Sequence, residues 1–558
     1  MSKQSKIIFE IEGGEDVTVF AVGGENVLEL ARRAGVQIDA PCSGNGTCGK
    51  CAVIIHENDK QTRQLACQST VSGDAEIHVP KPQIQAAQGD GVIVHLRPAG
   101  QGDGSSVLSS DKTDEPSHFG LAVDIGTTTV AAMLVDLNSG FVFAKAVTGN
   151  AQISYGADVI NRIIEQQKPD GIRKLQHAIV ELTLLPLIDK LCAAVDISRD
   201  KITRLTVAAN TTMNHLLLGI DANSIRVEPY EPAFLEFEPR DPSSIGISLA
   251  LGAEMILAPN IGSYVGGDIT AGVLSALTPS EDKIWNRPEM SLLIDLGTNG
   301  EIVFGNEEFL MACACSAGPA FEGGDISCGM RAANGAIEAF ILDKECMEPS
   351  LSVINDFPPA GLCGSGLIDV VAELFRAGII NGKGKFNTIS GTQGDGSPLH
   401  SGRIRHDEYG VGSYVLVSAA DSATDRDITI TETDIDNFIR AKGAIFSGIM
   451  SLLAPLGFTP ADIDDVMIAG GIGSGINIKN AVSIGMLPDL PEEKYSYIGN
   501  SSLNGAYEML INPEAEEKVK EIAGNMTYID LSSQPGYMDE FIAACFLPHT
   551  DERLFSIR

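Results

Sequence analysis

The chain is short of basic residues. Its 39 lysines and arginines stand against 74 aspartates and glutamates, a formal charge of −35 over 558 residues. That balance excludes non-specific nucleic-acid binding, which needs a basic face to meet phosphates. An anionic membrane surface would repel the same chain, and most of the charge serves solubility. No run of about 18 apolar residues occurs, so no membrane span is expected. Met1–Lys6 is polar and Ile7–Ile11 is too short for the apolar stretch of a signal peptide, so a cytoplasmic protein is expected. Eleven cysteines in such a chain point to thiol, metal or redox chemistry rather than disulfides. What is abundant is apolar sequence, 44%, and glycine, 59 residues. The first is enough for several buried cores, and the second favours tight turns and close backbone–ligand contact. The length suggests two to four domains.

Residues 6–22 alternate apolar and polar, with Ile7, Phe9 and Ile11 before Gly13-Gly14 and Val17 and Val19 after it, which predicts a β-hairpin. Val27–Ala34 predicts a short helix stopped by Gly35. Cys51–His56 and Ala75–Val79 predict further strands, and a small β-rich domain is expected over residues 1–82. Residues 83–118 have a linker composition, rich in Gly, Ser and Asp from Gly100 onward, with one strand-like run at Val92–Leu96. From Phe119 the pattern becomes α/β. Leu121–Ile125 with Val130–Val135, and Leu292–Leu296 with Glu301–Phe304, predict two strand–turn–strand units. Ile172–Val195 predicts a helix kinked at Pro186. Thr433–Leu453 predicts an amphipathic helix carrying Ile435, Phe438, Ile445, Ile449 and Leu452. Val466–Ala469 predicts a short buried strand. This α/β region is expected over 119–548, with 549–558 as a tail.

Cys42, Cys48 and Cys51 form C-x5-C-x2-C, and Cys67 follows. Four thiolates are what a [2Fe–2S] cluster needs. Three ligands on one loop must wrap the cluster closely, and Gly44, Gly46 and Gly49 let backbone N–H groups approach the sulfurs. A zinc site would favour two C-x2-C pairs, and only one is present. The spacing of the first three resembles ferredoxins of the adrenodoxin kind, although the gap to Cys67 is shorter than theirs. Gly44–Cys51 also comes near the P-loop pattern G-x-x-x-x-G-K-[ST], but Cys51 stands where the magnesium-binding hydroxyl belongs.

Asp124-Ile125-Gly126-Thr127-Thr128-Thr129 and Asp295-Leu296-Gly297-Thr298-Asn299-Gly300 each follow an apolar strand and lead into another. A hairpin of this kind can set N–H and hydroxyl groups of Gly126, Thr127, Thr128, Gly297, Thr298 and Asn299 around phosphates. The aspartates at the strand ends, Asp124 and Asp295, can hold Mg²⁺ through water or position the attacking water. Duplication makes the signal specific. Val466–Ala469 runs into a third glycine loop, in which Gly470, Gly471 and Gly473 would face a nucleoside. A dinucleotide fingerprint is not matched there.

These three elements resemble phosphate 1, phosphate 2 and adenosine of the actin/Hsp70/sugar-kinase ATPase superfamily, which implies two related lobes closing on ATP. Joined to the cysteine set, the resemblance narrows to reductive activators of corrinoid-dependent methyl-transfer systems. The stretches that carry it are Cys42–Cys51, Cys67, Asp124–Thr129, Tyr155–Arg162, Ala209–Asp221, Gly266–Gly272, Asp295–Glu301, Ser316–Asp325, Cys363–Asp369 and Ala469–Gly475. The expected architecture is therefore an α+β ferredoxin-like (β-grasp) [2Fe–2S] domain, a linker, and an α/β actin-like two-lobed ATPase domain. The resemblance implies a [2Fe–2S] cluster, ATP and Mg²⁺ as cofactors. It also implies a corrinoid protein as partner, an electron donor whose identity the sequence does not give, and a homodimer. No cysteine follows Cys545, so the C-terminal [4Fe–4S] motifs of some relatives are absent. Asp124 follows the linker closely, so the separate middle domain of some relatives is expected to be small or missing.

The implied activity is ATP-dependent return of one electron to a Co(II) corrinoid, restoring Co(I). Other readings of the same residues are an activator of 2-hydroxyacyl-CoA dehydratase type, a nucleotide-switched redox sensor without turnover, and a sugar-kinase relative with a fused ferredoxin. Asp268, Glu301 and Asp325 are weaker candidates for the magnesium shell. Cys313, Cys315 and Cys328 could form a second cluster, but their surroundings are apolar and buried free cysteine is common. His215 reads as a satisfied core histidine.

Overall fold

The computed structural model describes residues 4–12, 14–36, 38, 51–57, 60–80, 93–94, 118–277, 289–343, 348–387, 403–472 and 475–556. Strands β1 (Gln4–Ile11) and β2 (Val17–Val22) form the expected hairpin, with Ile7 opposite Val19. With β3 (Ala52–Glu57), β4 (Lys60–Leu65) and β5 (Ala75–Val79) they make a sheet of order β2-β1-β5-β3-β4. Only β1 and β5 run parallel. The helix Val27–Arg33 starts at Asn26, whose side chain accepts from the N–H groups of Leu28 and Glu29. It buries Val27, Leu28, Leu30 and Ala31 against Ile7, Phe9 and Ile77. This is the expected α+β domain. Strand β4 was not anticipated: its polar, exposed residues carry no apolar alternation.

The chain divides into two units, residues 1–268 with 502–516 and residues 269–501 with 517–558. Beyond the N-terminal sheet, the first unit holds β6 (Ile93–Val94), β7 (Phe119–Ile125), β8 (Thr129–Asp136), β9 (Val142–Gly149), β10 (Ile202–Ala209) and β11 (Glu254–Leu257). Their order is β11-β10-β7-β8-β9-β6. Within the stretch read as linker, Ile93–Val94 thus pairs with Lys145 and Ala144 on the sheet edge. The predicted helix over 172–195 is three pieces in sequence: Gly171–Ile179, a π-helical turn Val180–Leu184, and Leu185–Val195 with Pro186 in its first turn. The wide turn accommodates a proline that cannot donate.

The second unit holds β12 (Ser291–Leu296), β13 (Gly300–Gly305) and β14 (Leu310–Cys315). Two small sheets follow: β15 (Ala336–Leu342), β16 (Pro349–Val353) and β17 (Gly361–Leu362), then β18 (Ile404–His406), β19 (Gly412–Val417) and β20 (Ile428–Thr431). The chain then returns to the main sheet as β21 (Asp465–Ala469), β22 (Tyr495–Gly499) and β23 (Met526–Tyr528). That sheet is ordered β22-β21-β12-β13-β14-β23. Its first five strands repeat the first unit: β12, β13 and β14 pair antiparallel as β7, β8 and β9 do, and β21 and β22 add in parallel as β10 and β11 do. The duplicated turn motifs therefore sit at equivalent places in two sheets of one topology, as expected for an actin-like ATPase.

The long helix is Glu432–Leu453, capped by Thr431 and Asp434, which bond each other's backbone N–H reciprocally. By length and mean composition alone Glu432–Leu456 could cross a bilayer, although it holds no uninterrupted run of about 18 apolar residues. Its side chains nevertheless form the centre of the second unit's core, with Phe438, Ile445, Ile449 and Leu452 buried. His549 and Phe555, in the segment read as a tail, are buried as well, and Phe555 packs on Phe446 with ring centroids 5.4 Å apart.

Candidate functional site

Cys51 closes the cysteine loop just before β3 and is buried, and Cys67 lies in a short helical turn after β4. Their sulfurs are 3.3 Å apart. A disulfide would need about 2.05 Å. Two thiolates on one tetrahedral metal at ~2.3 Å sit ~3.8 Å apart, so the pair fits sharing a metal far better than bonding to each other. Asn26 donates to the Cys67 carbonyl at 2.9 Å, fixing this turn to the helix N-terminus. Cys42, Cys48 and the loop glycines lie outside the described residues, and among the described residues no group of three or more metal-ligating side chains occurs.

In the first unit, Asp124 is the penultimate residue of β7, opposite Ala131 and beside Ala208 of β10. The turn that follows is tight: the Gly126 N–H donates to the Thr129 carbonyl at 2.9 Å, and a Cβ at Gly126 would lie 2.8 Å from that oxygen. Glycine is required there. Thr127 and Thr128 are buried. Three side chains that local sequence does not assign hold the turn. Asn150 donates through Nδ2 to the Gly126 carbonyl at 2.9 Å, and its N–H donates to the Thr128 carbonyl at 2.9 Å. Arg162, fully buried, donates to the Thr127 carbonyl. Asn210, at the end of β10, donates to Thr127 Oγ1 at 3.1 Å while capping the helix Thr211–Leu218.

In the second unit, Asp295 is the penultimate residue of β12, opposite Glu301 and beside Ala469. Burial pushes its carboxyl up to about 6, opposed by the Ser501 hydroxyl, which donates to Oδ2 at 3.5 Å. The turn closes through the Gly297 N–H to the Asn299 carbonyl at 3.0 Å, and the Thr298 hydroxyl donates to Glu322 at 3.2 Å. Gly470 has φ of +96° and packs directly on this strand end, while a Cβ at Gly471 would meet nothing within 4 Å. The structure thus brings Asp295, Gly297, Thr298, Asn299, Gly470 and Gly471 to one end of one sheet. Gly473 lies outside the described residues. Ser501 was not found from sequence because it comes from a distant segment with no motif of its own, and Glu322 lies in the Ser316–Asp325 stretch that carried the resemblance but was given no role there. Asn150, Arg162 and Asn210 lie in or beside stretches that carried the family resemblance, yet nothing local gave them a role.

The remaining candidates resolve as follows. His215 is buried, with Nδ1 2.7 Å from the Thr211 carbonyl and Nε2 accepting from the Ala233 N–H at 3.0 Å. Burial lowers its pKa, so it is a neutral core histidine, as expected. Cys313 and Cys315 are buried on β14, where the Cys315 thiol donates to the Gly300 carbonyl at 3.1 Å. Burial raises both thiols, and Cys328 rises to about 12. These thiols are held protonated by the core. Asp268 lies in the first turn of the helix Gly267–Leu277, and Asp325 occupies a left-handed turn with φ of 56°.

Comparison with known proteins bears on these sites. Residues 10–72 match a family model described as a 2Fe-2S iron-sulfur cluster binding domain. Residues 119–278 match the RACo middle region, and residues 289–557 the C-terminal domain of RACo, the ASKHA domain. The expectation that the middle domain is small or missing therefore fails: that region is the first of the two duplicated sheets with its helices. The corrinoid activation enzyme RamQ of Eubacterium limosum is 29% identical, across 92% of this chain and 95% of RamQ. The [Co(II) methylated amine-specific corrinoid protein] reductase of Methanosarcina barkeri is 24% identical, across 73% of each chain. A solved structure of a reductive activator for corrinoid, iron-sulfur protein is 37% identical over 99% of this chain and 100% of that one, with a TM-score of 0.71.

Proposed function

The chain belongs to the family of reductive activators for corrinoid proteins, and from that membership we propose that it drives one electron, at the expense of ATP, onto the Co(II) corrinoid of a methyl-transfer protein and so restores Co(I). A [2Fe–2S] cluster, when bound, supplies one-electron transfer at low potential. Cys51 and Cys67, with Cys42 and Cys48, are the residues that would hold it. Gly126, Thr127 and Thr128 of the first turn motif, and Gly297, Thr298 and Asn299 of the second, are the residues that would contact the nucleotide's phosphates. Asp124 and Asp295 position Mg²⁺ or the hydrolytic water, and Gly470, Gly471 and Gly473 receive the nucleoside. The protein acts in the cytoplasm, takes its electron from a separate donor, and works as a homodimer.

The reason for ATP is energetic. A plant-type [2Fe–2S] centre lies at about −400 mV, and the corrinoid couple lies lower. An uphill gap of roughly 100–200 mV amounts to about 2–5 kcal/mol for one electron. Differential binding of nucleotide to two conformations can supply that much. The observation that carries the reading is the thiol pair Cys51–Cys67, 3.3 Å apart in its own small domain, in one chain with two D-[IL]-G-T turns on duplicated sheets. The same pair weighs against a dehydratase-type activator, which has no N-terminal ferredoxin.

The test is to mix the iron- and sulfide-loaded protein with Co(II) corrinoid proteins, MgATP and a reductant, and to follow the visible spectrum. Appearance of Co(I) together with phosphate release supports the proposal. Steady ATP hydrolysis with no change at cobalt, for every corrinoid protein tried, overturns it.

A further inference from the structure

Resting on that reading, we infer that residues 150–162 couple the first phosphate turn to the docking of the cluster domain. One face of this segment grips the turn. The carbonyls of Gly126, Thr127 and Thr128 are taken, in order, by Asn150 Nδ2, the Arg162 guanidinium and the Asn150 N–H. The same guanidinium ties the segment to itself, donating through Nε to the Gly156 carbonyl at 2.9 Å and through NH1 to Gln152 Oε1 at 3.1 Å. There is no slack in this bracing: a Cβ at Gly156 would lie 2.9 Å from the Arg162 nitrogen. The turn cannot move to admit a phosphate without moving its brace.

The other face holds the cluster domain. Arg32, in the last turn of the helix Val27–Arg33, donates to the Ser154 carbonyl, and its guanidinium carbon lies 5.1 Å from the centroid of the Tyr155 ring. The Arg32 side chain is only 7% exposed, and its NH1 also pairs with Glu29 of its own helix at 2.7 Å. A guanidinium so covered, with a ring face and a carbonyl aimed at it, is a built contact. It is also a reversible one. Arg32 Nε is buried without a hydrogen-bond partner among the described residues, and undocking would return it to water. Ser154 and Tyr155 thus stand between the two anchors of the phosphate brace. Filling the phosphate turn shifts the segment and, through Arg32, changes how firmly the cluster domain is held.

The experiment is hydrogen exchange on the full, cluster-loaded chain with and without Mg²⁺ and a non-hydrolysable ATP analogue. It is run on the parent, Arg32→Ala and Tyr155→Leu, the cluster's visible spectrum confirming that each variant folds. In the parent, protection changes at 126–129, at 150–162 and at 27–33. In both variants the first two changes persist and the change at 27–33 is lost. Arg32→Ala then hydrolyses ATP within about twofold of the parent, while its nucleotide-dependent reduction of corrinoid falls about tenfold or more. Equal responses at 27–33 in parent and variants, or a response at 126–129 with none at 27–33 in the parent, overturn the coupling alone. No response to nucleotide anywhere in the parent overturns the ATPase reading beneath it.

Discussion

Asp295 occupies the space that a side chain at residue 470 would need. A Cβ built on Gly470 would lie 2.9 Å from Asp295 Oδ1 and 2.3 Å from the Leu296 carbonyl, at a backbone φ of +96°. The strand end that carries the acid and the loop proposed to face the nucleoside therefore fit together only with glycine at this position. Gly470→Ala combines left-handed backbone strain of about 1–2 kcal/mol with an overpacking cost of about 1–3 kcal/mol. Urea unfolding of the variant should show a loss of that order, and nucleotide affinity should fall because Asp295 is displaced. Unchanged affinity would separate the loop from the phosphate site.

Asp295→Asn keeps the volume and removes the charge. It should lower ATP hydrolysis by roughly 10²-fold or more, the scale on which a group acting on the reacting atoms is felt. ATP-dependent corrinoid reduction should fall in parallel. The visible spectrum of the cluster, held in a different domain, should not change. Activation at the parental rate would show that Asp295 does not act on magnesium or water.

Cys67→Ala should remove the cluster absorbance and leave nucleotide binding intact, since the thiol pair and the phosphate turns belong to different sheets. Cys313→Ala and Cys328→Ala should keep the absorbance, because those thiols are held protonated by burial. Iron and sulfide analysis of the three variants checks both halves of this expectation.

The strands flanking the two D-[IL]-G-T turns were legible because continuous apolar runs and the repeated motif mark them locally. Gly35 follows the end of the first helix as the sequence predicts, with a left-handed φ of +72°, whereas the caps Asn26 and Thr431 were not read from the sequence. Strand β4 was not legible, since a polar edge strand has no period to read. The π-helical turn at Val180–Leu184 was visible only as a proline in a helical pattern. The side chains that brace the site escaped for a different cause. Arg162 reaches the Thr127 carbonyl across 35 residues and Ser501 reaches Asp295 across 206, and such pairings are decided by topology rather than by neighbours in sequence.

His215 gives the chain a pH dependence of known sign. Its folded pKa is lowered from 6.5 by burial, and both ring nitrogens are engaged with backbone. The unfolded chain therefore takes up a proton near pH 6.5 that the folded chain refuses until a lower pH. The stability of the neutral histidine is present above pH 6.5 and is lost as pH falls toward the folded value, with a slope of at most about 1.4 kcal/mol per pH unit. Urea unfolding of parent and His215→Gln between pH 7.5 and 5 should show a steeper acid loss in the parent by about that slope. Parallel curves would mean that the ring is not held neutral.

The central claim is that nucleotide, rather than reductant alone, moves the electron to cobalt. The most direct test is to reduce the loaded protein chemically, remove the reductant, and mix it with a Co(II) corrinoid protein with and without MgATP in a single turnover. Co(I) should form only with MgATP, in step with reoxidation of the cluster. Equal yields of Co(I) with and without nucleotide would contradict the account.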